Sequence, residues 1–117
     1  MATEQDVRRI ATALPGVTEE LWYGTPGYKV AGKGFLRLRT EAEGSLVVLV
    51  ADEGEKTALI SSNPATFSTT PHYDGHPVVL VDLDTVEVDE LEELITESWR
   101  QKAPTRLAAE LDGRSNS

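Results

Sequence analysis

Residues 20–39 read ELWYGTPGYKVAGKGFLRLR. Three short runs suited to extended chain, Glu20 to Tyr23, Tyr28 to Ala31 and Phe35 to Arg39, are separated by Gly24-Thr25-Pro26-Gly27 and by Gly32-Lys33-Gly34. Glycine supplies backbone angles that other residues avoid, and proline denies an N–H to a ladder, so both mark turns. Turn signals this closely spaced leave no room for helices. They predict strands joined by antiparallel hairpins.

Working outward, Ser45 to Ala51 (SLVVLVA) is the clearest strand. Asp52 and Glu55 have the spacing of an acidic capping box and predict a helix through about Ser61, closed by Asn63-Pro64. Residues 67–77, FSTTPHYDGHP, read as a loop, and Val78 to Leu83 as a fifth strand. Asp89 with Glu92 repeats the capping-box spacing ahead of a helix whose Leu91, Leu94, Ile95 and Trp99 form one stripe. Pro104 interrupts, and Leu107, Ala108 and Leu111 predict a short last helix before Gly113. Upstream, Thr3 and Asp6 predict the start of a first helix, with Val7, Ile10, Ala11 and Leu14 on its apolar face and Pro15-Gly16 at its end. The order is α-β-β-β-β-α-β-α. It predicts a two-layer α+β fold, an about five-stranded, mostly antiparallel sheet with helices on one face. A single domain is expected over residues 1–113, followed by a polar tail at 114–117.

A chain of 117 residues is long enough for one core and too short for two. It has no cysteine, so disulfides and thiolate metal sites are excluded and a reducing cytoplasm is expected. The acidic, polar N-terminus lacks the basic start and apolar stretch of a signal peptide. The longest apolar run, Leu46 to Ala51, falls far short of the ~20 residues of a membrane span. The net charge of −9 and pI near 4.6 push the chain as a whole away from nucleic acid and anionic lipid.

The charge is uneven. Between Leu21 and Thr40 stand Lys29, Lys33, Arg37 and Arg39 and no acid, whereas eight acids fall between Asp82 and Glu97. Strand alternation turns Leu36 and Leu38 to the core and Arg37 and Arg39 outward with Phe35. Cations meet phosphates, and aromatic rings such as Trp22 and Tyr28 stack on unpaired bases. The hairpin is therefore a candidate for weak nucleic-acid binding, with a plain solvated face as the alternative.

His72 and His76 stand four apart with Asp74 between them. On a helix that spacing holds zinc, but Pro71, Gly75 and Pro77 oppose a helix and no third ligand is evident, so no metal or other cofactor is expected. With Tyr73 the two histidines could instead line a small-ligand pocket, to which Trp22 and Tyr28 are further candidates. No nucleophile elbow and no phosphate-cradling glycine loop is present, so the expectation is a binding domain and not an enzyme.

Several segments together resemble the MmcQ/YjbR-like family. Ala13-Leu14-Pro15-Gly16-Val17 follows the first helix; Trp22-Tyr23-Gly24-Thr25-Pro26, Tyr28-Lys29-Val30 and Gly32-Lys33-Gly34-Phe35 carry its tryptophan-glycine-x-proline, lysine-valine and glycine-lysine-x-phenylalanine pattern. Pro71-His72-Tyr73-Asp74-Gly75-His76-Pro77 and Ser98-Trp99-Arg100-Gln101-Lys102-Ala103-Pro104 are similar to the variant of actinobacterial members. The resemblance spans about residues 5–108. It implies the family's α+β fold and the DNA-binding label that the family carries through the likeness of its fold to a double-winged module. Many members have a tryptophan and a basic residue where this chain has Gly75-His76-Pro77 and Asp82, so a role tied to those positions does not transfer.

One pattern stands apart. Leu46-Val47-Val48-Leu49-Val50 and Val78-Val79-Leu80-Val81 are apolar on both faces, whereas a two-layer sheet should alternate. The second face needs a cover, from the C-terminal helix, an apolar ligand or a second copy of the chain; a homodimer is the favoured expectation.

Overall fold

Thr3 caps the first helix as its spacing predicts. Its hydroxyl accepts from the Asp6 N–H at 3.2 Å while the Asp6 carboxylate accepts from the Thr3 N–H at 2.9 Å. These bonds, the Thr3 backbone first, hold the Asp6 carboxyl below its ordinary range. In the computed structural model, which describes residues 1–22, 24–39 and 45–115, helix α1 (Glu4–Thr12) buries Val7, Ile10 and Ala11. Strands β1 (Val17–Trp22), β2 (Thr25–Val30), β3 (Lys33–Leu38) and β4 (Ser45–Leu49) follow as antiparallel neighbours. Tyr23, the predicted end of the first strand, lies outside the described residues, as do Asn116 and Ser117 of the predicted tail. Val30 pairs with Lys33, so Ala31 (φ 52) and Gly32 (φ 78) make a two-residue loop with both φ positive, the hairpin turn that fits strand twist.

Helix α2 (Glu53–Ser62) is capped by Asp52, whose carboxylate accepts from the Glu55 N–H at 2.8 Å. Strand β5 (Phe67–Ser68), a 3-10 turn (Pro71–Tyr73) and strand β6 (Val78–Asp82) come next, then α3 (Val88–Lys102) and α4 (Thr105–Ser115). The sheet order is β1-β2-β3-β4-β6-β5, with every neighbouring pair antiparallel. The protein is α+β, as the pattern predicts, with a six-stranded sheet and four helices among the described residues.

Several details differ from the sequence reading. Thr25-Pro26-Gly27 and Lys33-Gly34, predicted as turns, lie in β2 and β3, because each pairs in register with the neighbouring strand. Residues 67–68 form a sixth strand instead of loop, because Phe67 pairs with Val81 and buries its ring in the core. Asp89 does not cap α3; the helix begins at Val88, and Asp89 and Glu90 lie within its first turn, where they meet the positive end of the dipole. Finally, α4 runs past Gly113, since Arg114 ties its last turn to the Ala13 carbonyl at 3.1 Å and to Glu110 at 3.2 Å.

The inward residues Leu36, Leu38, Leu46, Val48, Val79 and Val81 join Val7, Leu91, Ile95 and Trp99 in one core between the sheet and helices α1 and α3. No helix among the described residues is long and apolar enough to cross a membrane.

Candidate functional site

The outer face of the sheet follows from the register. Arg37 lies opposite Val47, Val47 opposite Leu80, and Leu49 opposite Val78. These residues alternate with the core set, so they share the face turned away from α1 and α3. The segment between β5 and β6 folds back over it. Tyr73 starts at the far edge, yet its hydroxyl accepts from Arg37 Nη2 at 3.0 Å. Reaching β3 from there means crossing β6 and β4, roughly 10 Å of sheet at the usual strand spacing.

What fixes that segment is a turn and a lysine. Asp74 (φ −60, ψ 132) and Gly75 (φ +79) have the angles of a type II turn, closed by the His76 N–H donating to the Tyr73 carbonyl at 3.1 Å. Only glycine takes the second of those conformations without strain. From behind, Lys56 Nζ donates to the Tyr73 carbonyl at 2.7 Å and to the His76 carbonyl at 3.1 Å. Lys56 is only 4% exposed. A buried ammonium needs acceptors, and the two carbonyls that it meets belong to the turn.

Between strands and turn lies an open groove of about 440 Å³. Its floor is apolar, made by Phe35, Val47, Leu49 and Val78. Arg37, Tyr73, His72 and His76 stand around it. The His72 and Tyr73 rings meet edge-on, with centroids 4.8 Å apart. Among the described residues, the lining contains no carboxylate.

The fold thus brings together residues from two surfaces that the sequence suggests separately: Arg37 from the basic hairpin and His72, Tyr73 and His76 from the loop. The remaining candidates lie elsewhere. Lys29 makes an ion pair with Glu20 at 3.2 Å, Arg39 donates to Ser45 Oγ at 3.2 Å, and Lys33 is exposed beside the hairpin turn. The Trp22 side chain lies outside the described residues. Tyr28 is buried under α1 on the opposite face, 1% exposed, donating to Glu19 Oε1 at 2.8 Å.

Comparison with known proteins places this architecture. The chain matches the family model of YjbR over residues 12–101. It belongs to the YjbR family. An uncharacterized protein of Mycobacterium tuberculosis is 42% identical over 92% of this YjbR chain and 93% of its own length. An uncharacterized protein of Mycobacterium bovis matches to the same extent, 42% over 92% and 93%. A crystal structure of a Deinococcus radiodurans protein with a DUF419 domain superposes with a TM-score of 0.71 at 24% identity, covering 85% of this chain and 77% of that one. At that identity the likeness establishes the fold.

Lys56 is the residue of this YjbR site that sequence reasoning passes over. A signal was present: Lys56, Leu59 and Ile60 fall at helical spacing on one face of α2, and the two apolar residues pack on the core. The groove floor was visible as the doubly apolar strands. Its cover is the chain's own loop over part of the face, which the three expected covers did not include.

Tyr28 yields a prediction of its own. Burial first, then the Glu19 carboxylate, hold its phenol above the ordinary value near 10. Below pH 10 the phenol is protonated in both folded and unfolded chains. Above it the unfolded chain releases the proton first, so stability falls as pH rises, by at most about 1.4 kcal/mol per pH unit for this one group. Tyr28→Phe is expected to flatten that alkaline fall, read as the melting midpoint between pH 8 and pH 11. An unchanged slope would remove Tyr28 from the account.

Proposed function

We propose that this YjbR chain is a non-enzymatic, cytoplasmic binding domain, and that its site is the groove between the β3–β4–β6 face and the Tyr73–His76 turn. The observation that carries the reading is the convergence of an apolar floor with Arg37, Tyr73, His72 and His76 from separate segments. Small-molecule sites have this composition, a mostly apolar cavity of ≈ 300–1,000 Å³ with a few polar groups to orient the ligand. Among the described residues that line the groove there is no serine or threonine hydroxyl, the usual oxygen nucleophile of hydrolytic and transfer chemistry.

Nucleic-acid binding through Lys29, Lys33, Arg37 and Arg39 draws on the family's label and the hairpin's charge. It receives less support from the side chains themselves, because Lys29, Arg37 and Arg39 make polar contacts inside the fold. Four phosphate contacts would give a salt slope of about −3.6 on duplex DNA, against the repulsion of a −9 chain.

One experiment separates the readings. The isotope-labelled chain is titrated by NMR with a fragment-sized small-molecule set, and separately with duplex and single-stranded DNA at low salt. The groove reading expects fragment shifts confined to residues 34–37, 47–49 and 72–78, lost in Val47→Asp. DNA shifts along residues 29–39 that vanish in Arg37→Glu/Arg39→Glu, with the groove silent to every fragment, would overturn it.

A further inference from the structure

The groove ends at a definite place, and what stands there decides which ligands fit; this step rests on the reading of the groove as a binding site. We infer that the groove selects apolar ligands by length, and that Tyr73 sets the limit as its end wall.

The sheet supplies the first observation. Ser68 lies opposite Leu80, Leu80 opposite Val47, and Val47 opposite Arg37, so the four side chains form one row across the outer face. Leu80 also stands two residues from Val78 on that face. Val47 and Val78 are half-buried and line the groove, whereas Leu80 is only 3% exposed and does not. Nor does Leu80 belong to the core on the other face of the sheet. The apolar floor therefore continues past the end of the groove and is sealed there.

Tyr73 is placed to make the seal. The chain leaves β5 at Ser68, one end of the row, and the Tyr73 hydroxyl accepts from Arg37 Nη2 at 3.0 Å at the other end. The segment between these two points spans the row, over Leu80 and Val47. Lys56 Nζ holds the Tyr73 carbonyl at 2.7 Å, so the residue is fixed at its backbone as well as at its hydroxyl. A short ligand lies on Phe35, Val47, Leu49 and Val78 and leaves the wall in place. A longer one meets the ring. It must break a hydrogen bond from a charged donor to reach Leu80, or turn its far end into water, where added carbon gains no burial.

The test uses neutral probes of increasing length, from 2-phenylethanol to 6-phenylhexanol, each titrated into the full labelled chain by NMR. Affinity is expected to rise about fourfold per methylene, the worth of one buried methylene, and then to stop rising within the series. Tyr73→Ala should weaken the shortest probes, which lose the ring as a contact. It should also carry the rise on by about three more methylenes, the span of one ~4.8 Å strand spacing. The longest probes should then shift the Leu80 methyls, which stay unmoved in the native chain. Tyr73→Phe keeps the ring and loses the tie to Arg37, so it should carry the rise part of the way; it decides the matter alone if the alanine variant does not fold. An unbroken rise in the native chain, or a break at the same length in both variants, would overturn Tyr73 as the limit and leave the groove a ligand site. If no probe shifts the groove, the inference falls together with the reading beneath it.

Discussion

Replacing Trp99 with alanine is expected to bring this domain close to unfolding. The indole is fully buried, and α3 carries it into the core beside Leu91 and Ile95. Truncating a buried aromatic to alanine costs about 3–5 kcal/mol, and the cavity left behind accounts for much of it. Here a second loss adds to the first. Trp99 Nε1 donates to the Pro15 carbonyl at 3.0 Å, a buried bond that pins the end of the α1–β1 connection to α3. An unpaired buried acceptor costs about 1–3 kcal/mol more. A domain of this size has about 6 kcal/mol of stability at the low end of the usual range, so the sum consumes most of it. Urea unfolding should show the midpoint falling steeply with the slope unchanged. Trp99→Phe separates the two causes, since it keeps most of the apolar volume and loses only the donor; a drop of about 1–2 kcal/mol is expected. Equal losses in the two variants would mean the hydrogen bond, and not the packing, holds this corner.

The residues that made Trp99 legible also show how far sequence carries. Helices α1 and α3 announce themselves because their apolar residues recur at a period that only a helix satisfies, and each faces the same core. The hairpins are legible because Ala31-Gly32 and the glycines around it leave no other structure available. Strand β5 was hidden for a physical reason. Two residues carry no period, and what makes Phe67–Ser68 a strand is its pairing with Val81 and Leu80, far along the chain. The candidate site divides along the same line. His72, Tyr73 and His76 could be suspected from residue type, and Arg37 from charge. Their meeting could not, because it depends on a type II turn folding back across two strands. Lys56 was harder still: lysines are rarely buried, and only the turn's carbonyls, absent from any local pattern, make its burial tolerable.

That dependence makes Lys56 the decisive residue for the groove. Lys56→Met keeps the stem's apolar length and removes the two donors. Two effects compete. Each bond from a charged donor is worth about 1.5–3 kcal/mol, and both end on one short segment. Against this, the ammonium's desolvation is relieved, and a buried charge replaced by an apolar side chain of similar volume is often neutral for the whole fold. The Tyr73 and His76 carbonyls also keep a backbone partner each, from the His76 and Val78 N–H groups. Global stability should therefore change little, by about 1 kcal/mol in either direction. The turn is where the loss concentrates, because it has few apolar anchors of its own: Pro71, His72, Asp74, Gly75 and His76 are all exposed. Amide exchange at residues 73–78 is expected to speed by about 10- to 100-fold, as 1.5–3 kcal/mol of local stability is withdrawn. With the turn loosened, Tyr73 leaves Arg37 and the groove loses one wall, so probe binding should weaken in parallel with the faster exchange. If exchange in the turn stays slow in Lys56→Met, the type II turn and the Arg37–Tyr73 bond hold the wall without it, and α2 contributes packing to the site but no control.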